Sequence, residues 1–143
     1  MFKTLLLPVD LSSPQSWTGA LPAALRLSDP DSVLHVVTVV PDFGLSVVGS
    51  FFEDGFEKRV LHDVGEKLTA WVEENVPAEV NVQPHVMHGR VYDEIIRAAD
   101  RLDVGAIVIG SHRPDLADYL LGPNAARVVR HAKQSVFVVR GNG

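Results

Sequence analysis

The stretch AIVIGSHRPDLADYLLGPNAA, Ala106–Ala126, decides the fold of this 143-residue chain. It opens on an unbroken apolar run, Ala106–Ile109, as expected of a buried strand. Gly110 follows, then a loop, then Gly122 and a helix-like segment, Asn124–Lys133. Strand, glycine, loop, glycine, helix start is an arrangement that receives a phosphate. Glycine lets the backbone come close to an anion, and a helix start presents unpaired N–H groups at the positive end of a dipole. Spacing of this kind also describes an ordinary strand-to-helix loop, so at this point both readings stand.

Beyond it, the last helix turns Ala125, Val128, Val129 and Ala132 inward and leaves Arg127, Arg130 and Lys133 polar. Ser135–Val139 is a final strand. Before it, Val91, Ile95, Ile96, Ala99 and Leu102 predict an amphipathic helix. Val80–Val86 alternates apolar and polar residues, as an edge strand with one wetter face does, and His88-Gly89-Arg90 turns the chain. Phe56, Val60, Leu61, Val64, Leu68, Trp71 and Val72 recur at helical spacing, and Val76–Pro77 breaks that helix. Asp42–Ser50, with two glycines, is a loop. Val33–Val40 is a β-branched strand, preceded by a turn at Asp29-Pro30-Asp31. Thr4–Val9 is a first strand buried on both faces. Ser12 or Ser13 can cap the helix after it, with Pro14 in the first turn and Trp17, Leu21, Ala24 and Leu25 on one face. Pro22 is expected to kink or divide that helix.

The order is therefore β-α-β-α-β-α-β-α-β. Strict alternation predicts an α/β fold, an open parallel sheet with helices on both faces. Ligands on such sheets sit beyond the carboxyl ends of the strands, where the winding reverses. The residues at those ends are Pro8–Asp10, Val39–Asp42, Val86–Gly89 and Gly110–Arg113.

The length fits one domain, residues 1–143. A net charge of -5 disfavours nucleic acid as a partner. The absence of cysteine removes disulfides, thiol catalysis and thiolate metal sites. MFKTLLLPVD lacks the long apolar core and small-residue cleavage site of a signal peptide. No segment approaches the roughly 20 apolar residues of a membrane span. The expected location is the cytoplasm, with no membrane partner.

Asp10 can accept a hydrogen bond from an adenine amino group or a ribose hydroxyl; it can equally cap the next helix. Val39 can offer its backbone to an adenine edge; it can equally be a plain strand-end valine. Ser111, His112 and Asp115 look like a hydrolase set but lack the G-x-S-x-G elbow, so no catalytic residue is assigned. His85 and His88 suggest a metal, yet an i, i+3 pair on a strand points to opposite faces, so no metal site is assigned. His35 reads as a structural histidine. Arg127, Arg130, His131 and Lys133 read as a solvated helix face open to an anionic partner.

With LLLPVD, the strand-end Val39 and IVIGSH…LLGPNAARVVRHAKQSVFVVR in view, the chain resembles the universal stress protein family from Phe2 to Arg140. The resemblance implies a Rossmann-like five-stranded parallel sheet of order 3-2-1-4-5 with four helices. Some members bind ATP through G-x2-G-x9-G-(S/T). By resemblance, Asp10 and Val39 would hold adenine, with Pro8 shaping that wall and Ile109 beside it. Gly110 would lie against ribose or phosphates, and Gly122, Pro123 and Asn124 would cradle the phosphates. A homodimer through the last strand, Ser135–Arg140, is implied as well.

The sequence departs from the motif in three ways. Arg113 replaces the second glycine, the spacing to Gly122 is one residue short, and Pro123 replaces the Ser/Thr. The first two departures resemble a branch whose loop reads G-S-H-R-P and implies ATP binding, with His112 and Arg113 near the phosphates. Pro123 has neither an N–H nor a hydroxyl to give. The resulting expectation is a stress-response module that binds ATP or AMP, with Mg2+, without rapid turnover. One alternative is a dimeric interaction module that has lost nucleotide binding and serves an unidentified protein partner. A weaker one is a slow ATPase or small hydrolase.

Overall fold

The computed structural model of the chain describes residues 1–41, 54–111 and 122–140. Five strands alternate with four helices: β1 (Phe2–Pro8), α1 (Ala20–Leu27), β2 (Ser28–Pro41), α2 (Asp54–Asn75), β3 (Asn81–Gly89), α3 (Val91–Arg101), β4 (Ala106–Ser111), α4 (Pro123–His131) and β5 (Ser135–Arg140). All pairings are parallel and the strand order is β3-β2-β1-β4-β5. This is the order that the family resemblance implied.

Handedness explains which helix lies where. Parallel strands are joined by right-handed crossovers. The chain steps outward from β1 to β2 to β3, so α1 and α2 share one face. It then returns across the sheet to β4 and β5, so α3 and α4 take the other. The core divides accordingly. Leu5, Leu7, Leu34, Val36 and Val108 pack with Leu21, Leu68 and Trp71. Leu6, Val37, Ile107 and Ile109 pack with Ile95, Ala99, Ala125 and Val128. Leu5, Leu6 and Leu7 all have zero exposure although they alternate between faces. That explains the unbroken apolar reading of β1.

Several sequence expectations are corrected. Asp29-Pro30-Asp31 is not a turn but part of β2. The β1–β2 register runs Phe2↔Ser28 and then Thr4↔Val33, an irregularity that absorbs the extra residues. Pro14 opens only a short 3-10 turn, Pro14–Ser16, whose Ser13 makes no side-chain cap. The α-helix begins at Ala20, so Pro22 falls in the first turn, where its missing N–H has no intrahelical partner to lose. Trp17 therefore lies outside α1, and still packs edge-on against Trp71 at 5.5 Å. Val129 is 44% exposed rather than inward, because α4 contacts α3, β4 and β5 and nothing covers its remaining side among the described residues. The expected loop at Asp42–Ser50 lies outside the described residues. Among those described, no helix is long and apolar enough to cross a membrane.

His35 and His85 meet across β2 and β3, Nδ1 to Nε2 at 2.9 Å. His88 points elsewhere, to Glu57 at 2.9 Å. Burial holds the pKa of His35 below its ordinary value of 6.5, and a charge on His85 would lower it further. Burial lowers His85 as well. Depressed folded values mean that the unfolded chain takes up these protons first as pH falls. The pair's contribution is then fully present above about pH 6.5 and is lost as pH falls towards the depressed folded values. Urea denaturation from pH 7.5 to 5 should show stability falling with acid, and His85→Gln should flatten that slope. An unchanged slope in the variant would show that the pair does not carry it.

Candidate functional site

The sheet reverses its winding between β1 and β4, and a cleft of about 340 Å³ opens at the carboxyl ends of the strands there. Pro8, Asp10, Val39, Ile109, Gly110 and Asn124 all line it. Six candidates from distant parts of the chain thus meet in one place. Gly122 and Pro123 begin α4 beside it. His112, Arg113 and Asp115 lie outside the described residues.

The β1 side is held by local hydrogen bonds. Asp10 Oδ1 accepts from Ser12 N at 3.0 Å and Ser12 Oγ at 2.7 Å. Ser16 Oγ accepts from Asp10 N at 2.8 Å, and Ser13 N donates to Asp10 O. Asp10 therefore orders the loop after β1. Its Oδ2 keeps acceptor capacity at an exposed position on the cleft wall. Both readings of Asp10 are compatible with this arrangement.

Gly110 has a structural role that its sequence context did not reveal. A Cβ there would lie 2.7 Å from the Ser16 carbonyl oxygen and 3.4 Å from that of Gln15. The 3-10 turn rests on the end of β4 at backbone distance, so glycine is required whether or not a ligand binds. Ser111 is likewise explained. Its Oγ accepts from Gly122 N at 2.8 Å, joining the end of β4 to the start of α4. Among the described residues, no side chain that could act as a base hydrogen-bonds to Ser111.

At α4, the donors can be counted. A helix start has four N–H groups without intrahelical partners. Here Gly122 N is bound to Ser111, and Pro123 at the first helical position has no N–H. Asn124 and Ala125 supply the remaining two.

Sequence reasoning missed Ser12, Ser16, Val37, Val91 and Ile95, which also line the cleft; Val9 and Pro41, within the strand ends already named, line it too. Ser12 could have been found, since a serine two residues after an aspartate is the spacing of a side-chain turn. Val91 and Ile95 come from α3, which only the sheet order brings there. The walls are mainly valine, isoleucine and proline, with Asp10, Ser12, Ser16 and Asn124 as the polar groups. Apolar walls with a few polar groups suit a flat heterocycle with polar edges. A larger hollow of about 530 Å³ between α2 and β3 is an open trough and contains none of the candidates. Among the described residues no group of three or more His, Asp or Glu could hold a metal.

The fold is an α/β Rossmann-like architecture with a crevice where the sheet reverses its winding. The sequence model of the universal stress protein family matches residues 1–140, and the chain belongs to that family. It is 34% identical to Universal stress protein G of Escherichia coli O157:H7 over 142 residues, which are 98% of this chain and 100% of that protein. The solved universal stress protein UspA of Lactobacillus plantarum superposes with a TM-score of 0.72 at 19% identity, covering 96% of this chain and 97% of the other. A universal stress protein family member of Arabidopsis thaliana, solved with AMP bound, superposes at 0.64 with 16% identity, covering 99% and 93%.

Gly110→Ala is expected to destabilise the empty protein by about 1–3 kcal/mol, through overpacking against the Ser16 backbone. Thermal melting without ligand checks this. An unchanged melting temperature would mean that the turn moves away freely.

Proposed function

We propose that the protein binds an adenine nucleotide, ATP or AMP, in this cleft and acts as a cytoplasmic stress-response module without rapid turnover. In this proposal residues 1–143 form a single domain. The observation that carries the proposal is the convergence of Pro8, Asp10, Val39, Ile109, Gly110 and Asn124 on one crevice at the winding reversal. The AMP bound by the Arabidopsis relative is consistent with it. Asp10 would accept from the adenine amino group, Val39 would lie along the ring, and Asn124 would face the phosphates. Mg2+, where present, would be held by the phosphates. His112 and Arg113 belong to the same proposed site on sequence grounds.

A second reading, an interaction module without nucleotide, is favoured by the two donors missing at α4. Nucleotide content of the purified protein, followed by calorimetric titration with ATP and with AMP, separates the two. Copurified nucleotide or micromolar affinity supports the first reading, and no heat at millimolar ligand supports the second. Asp10→Asn keeps an acceptor for Ser12 and should weaken nucleotide binding about tenfold or more, the loss of one hydrogen bond to a charged group. Gly110→Ala is not a clean test, for the reason given above.

Under either reading the proposed partner is a second copy, paired through β5. That strand ends the sheet, and Phe137 and Val129 are two of the three exposed large apolar residues among those described. An uncovered strand edge invites pairing. Light scattering at micromolar concentration should give the dimer mass, and Phe137→Lys should halve it with helix content preserved. A wild-type monomer would overturn the assignment.

A further inference from the structure

We propose that Arg127, held by Tyr92 between the two helices that contribute Val91 and Asn124 to the cleft, contacts the phosphate chain of the bound nucleotide and makes the site favour ATP over unphosphorylated adenosine. This rests on the adenine-nucleotide reading and adds the group that would replace the missing phosphate donors. With Gly122 N occupied and Pro123 without an N–H, only two backbone donors remain at α4. A chain of net charge -5 gives a polyphosphate no general attraction. A local cation would supply it, in addition to the Arg113 assigned to the site on sequence grounds.

Arg127 lies three residues beyond Asn124, about 4.5 Å along the axis, and Asn124 lines the cleft. Its guanidinium carbon sits 4.8 Å from the centroid of the Tyr92 ring. Its Nη1 reaches Tyr92 Oη at 3.5 Å, a weak bond. No carboxylate pairs with it among the described residues, in contrast to Arg97, which Glu94 holds at 2.6 Å. Tyr92 in turn follows Val91, another lining residue. A second guanidinium, Arg90, approaches Tyr92 Oη at 3.3 Å, with Asp93 3.9 Å from it. The aromatic face thus orders a guanidinium while leaving its fork available, and that fork matches phosphate oxygens in pairs.

The test is calorimetric titration of the full chain with adenosine, AMP, ADP and ATP. Wild type is compared with Arg127→Gln, Tyr92→Leu and Arg130→Gln, the last removing an equal charge further along the same helix. Arg127→Gln should weaken ATP tenfold or more relative to adenosine. Tyr92→Leu should move the ratio in the same direction, and Arg130→Gln should leave it unchanged. An ATP-to-adenosine ratio unaltered by Arg127→Gln would overturn the proposal while the adenine site stood. Equal losses in the two arginine variants, or a loss of adenosine binding with a lowered melting temperature in Arg127→Gln, would overturn it too. If wild type bound none of the four ligands, the adenine-nucleotide reading would fail and this proposal with it.

Discussion

Every crossover in this chain joins parallel strands, and right-handedness constrains each of them. Once β2 and β3 lie to one side of β1, the chain can reach β4 only by returning across the sheet. The helix that carries it, α3, must then cover the face opposite α1 and α2. That reversal leaves β1 and β4 adjacent, with the chain departing to helices on opposite faces, α1 after β1 and α4 after β4. The crevice is the space between those departures. Its position follows from topology, before any residue in it is chosen.

The constraint then reaches the residues. A central pair buried on both faces needs apolar side chains at every position, which Leu5–Leu7 and Ala106–Ile109 provide. Where the strands end, the loop after β1 must fold back within backbone distance of β4. Gly110 permits this by having no Cβ to meet the Ser16 carbonyl. Asp10 and Ser16 tie the same loop to itself. A glycine and an aspartate associated by resemblance with a ligand thus also build the loop that frames the cleft. Their presence in a sequence is therefore weaker support for binding than their place in a motif suggests.

Periodicity made the strands and helices legible because it reports which face is buried, and strict alternation made the parallel sheet legible. The strand order came from family resemblance. What periodicity could not supply is anything set by a neighbour distant in sequence. Asp29-Pro30-Asp31 has turn composition, yet pairing with β1 keeps it within a strand that bulges. Val129 has the spacing of a core residue, yet α4 lies near the sheet edge and has nothing to cover it there. The His35–His85 contact joins residues 50 apart, and no local pattern announces it. At the cleft, the strand-end candidates were visible because strand ends are. The α3 wall at Val91 and Ile95 was not.

Pro123 shows how one residue can serve the fold and tax the site. Its fixed φ suits the first position of α4, and the N–H it lacks would have found no partner within the helix. Under the nucleotide reading, the same N–H would have faced the phosphates. Ser111 removes a second donor by binding Gly122 N, which closes the strand-to-helix connection. Both features strengthen the framework by reducing what the helix start can offer. With only the Asn124 and Ala125 N–H groups left, further phosphate affinity would have to come from side chains, which can be placed without disturbing the backbone. On α4 the inner positions Ala125 and Val128 are committed to the core. The neighbouring position nearest Tyr92 is Arg127, whose stacking against that ring links the first turn of α3 to the second turn of α4. Stability and charge placement are met there by the same contact, which is why the substitution that removes the charge has to be compared with one that removes it elsewhere.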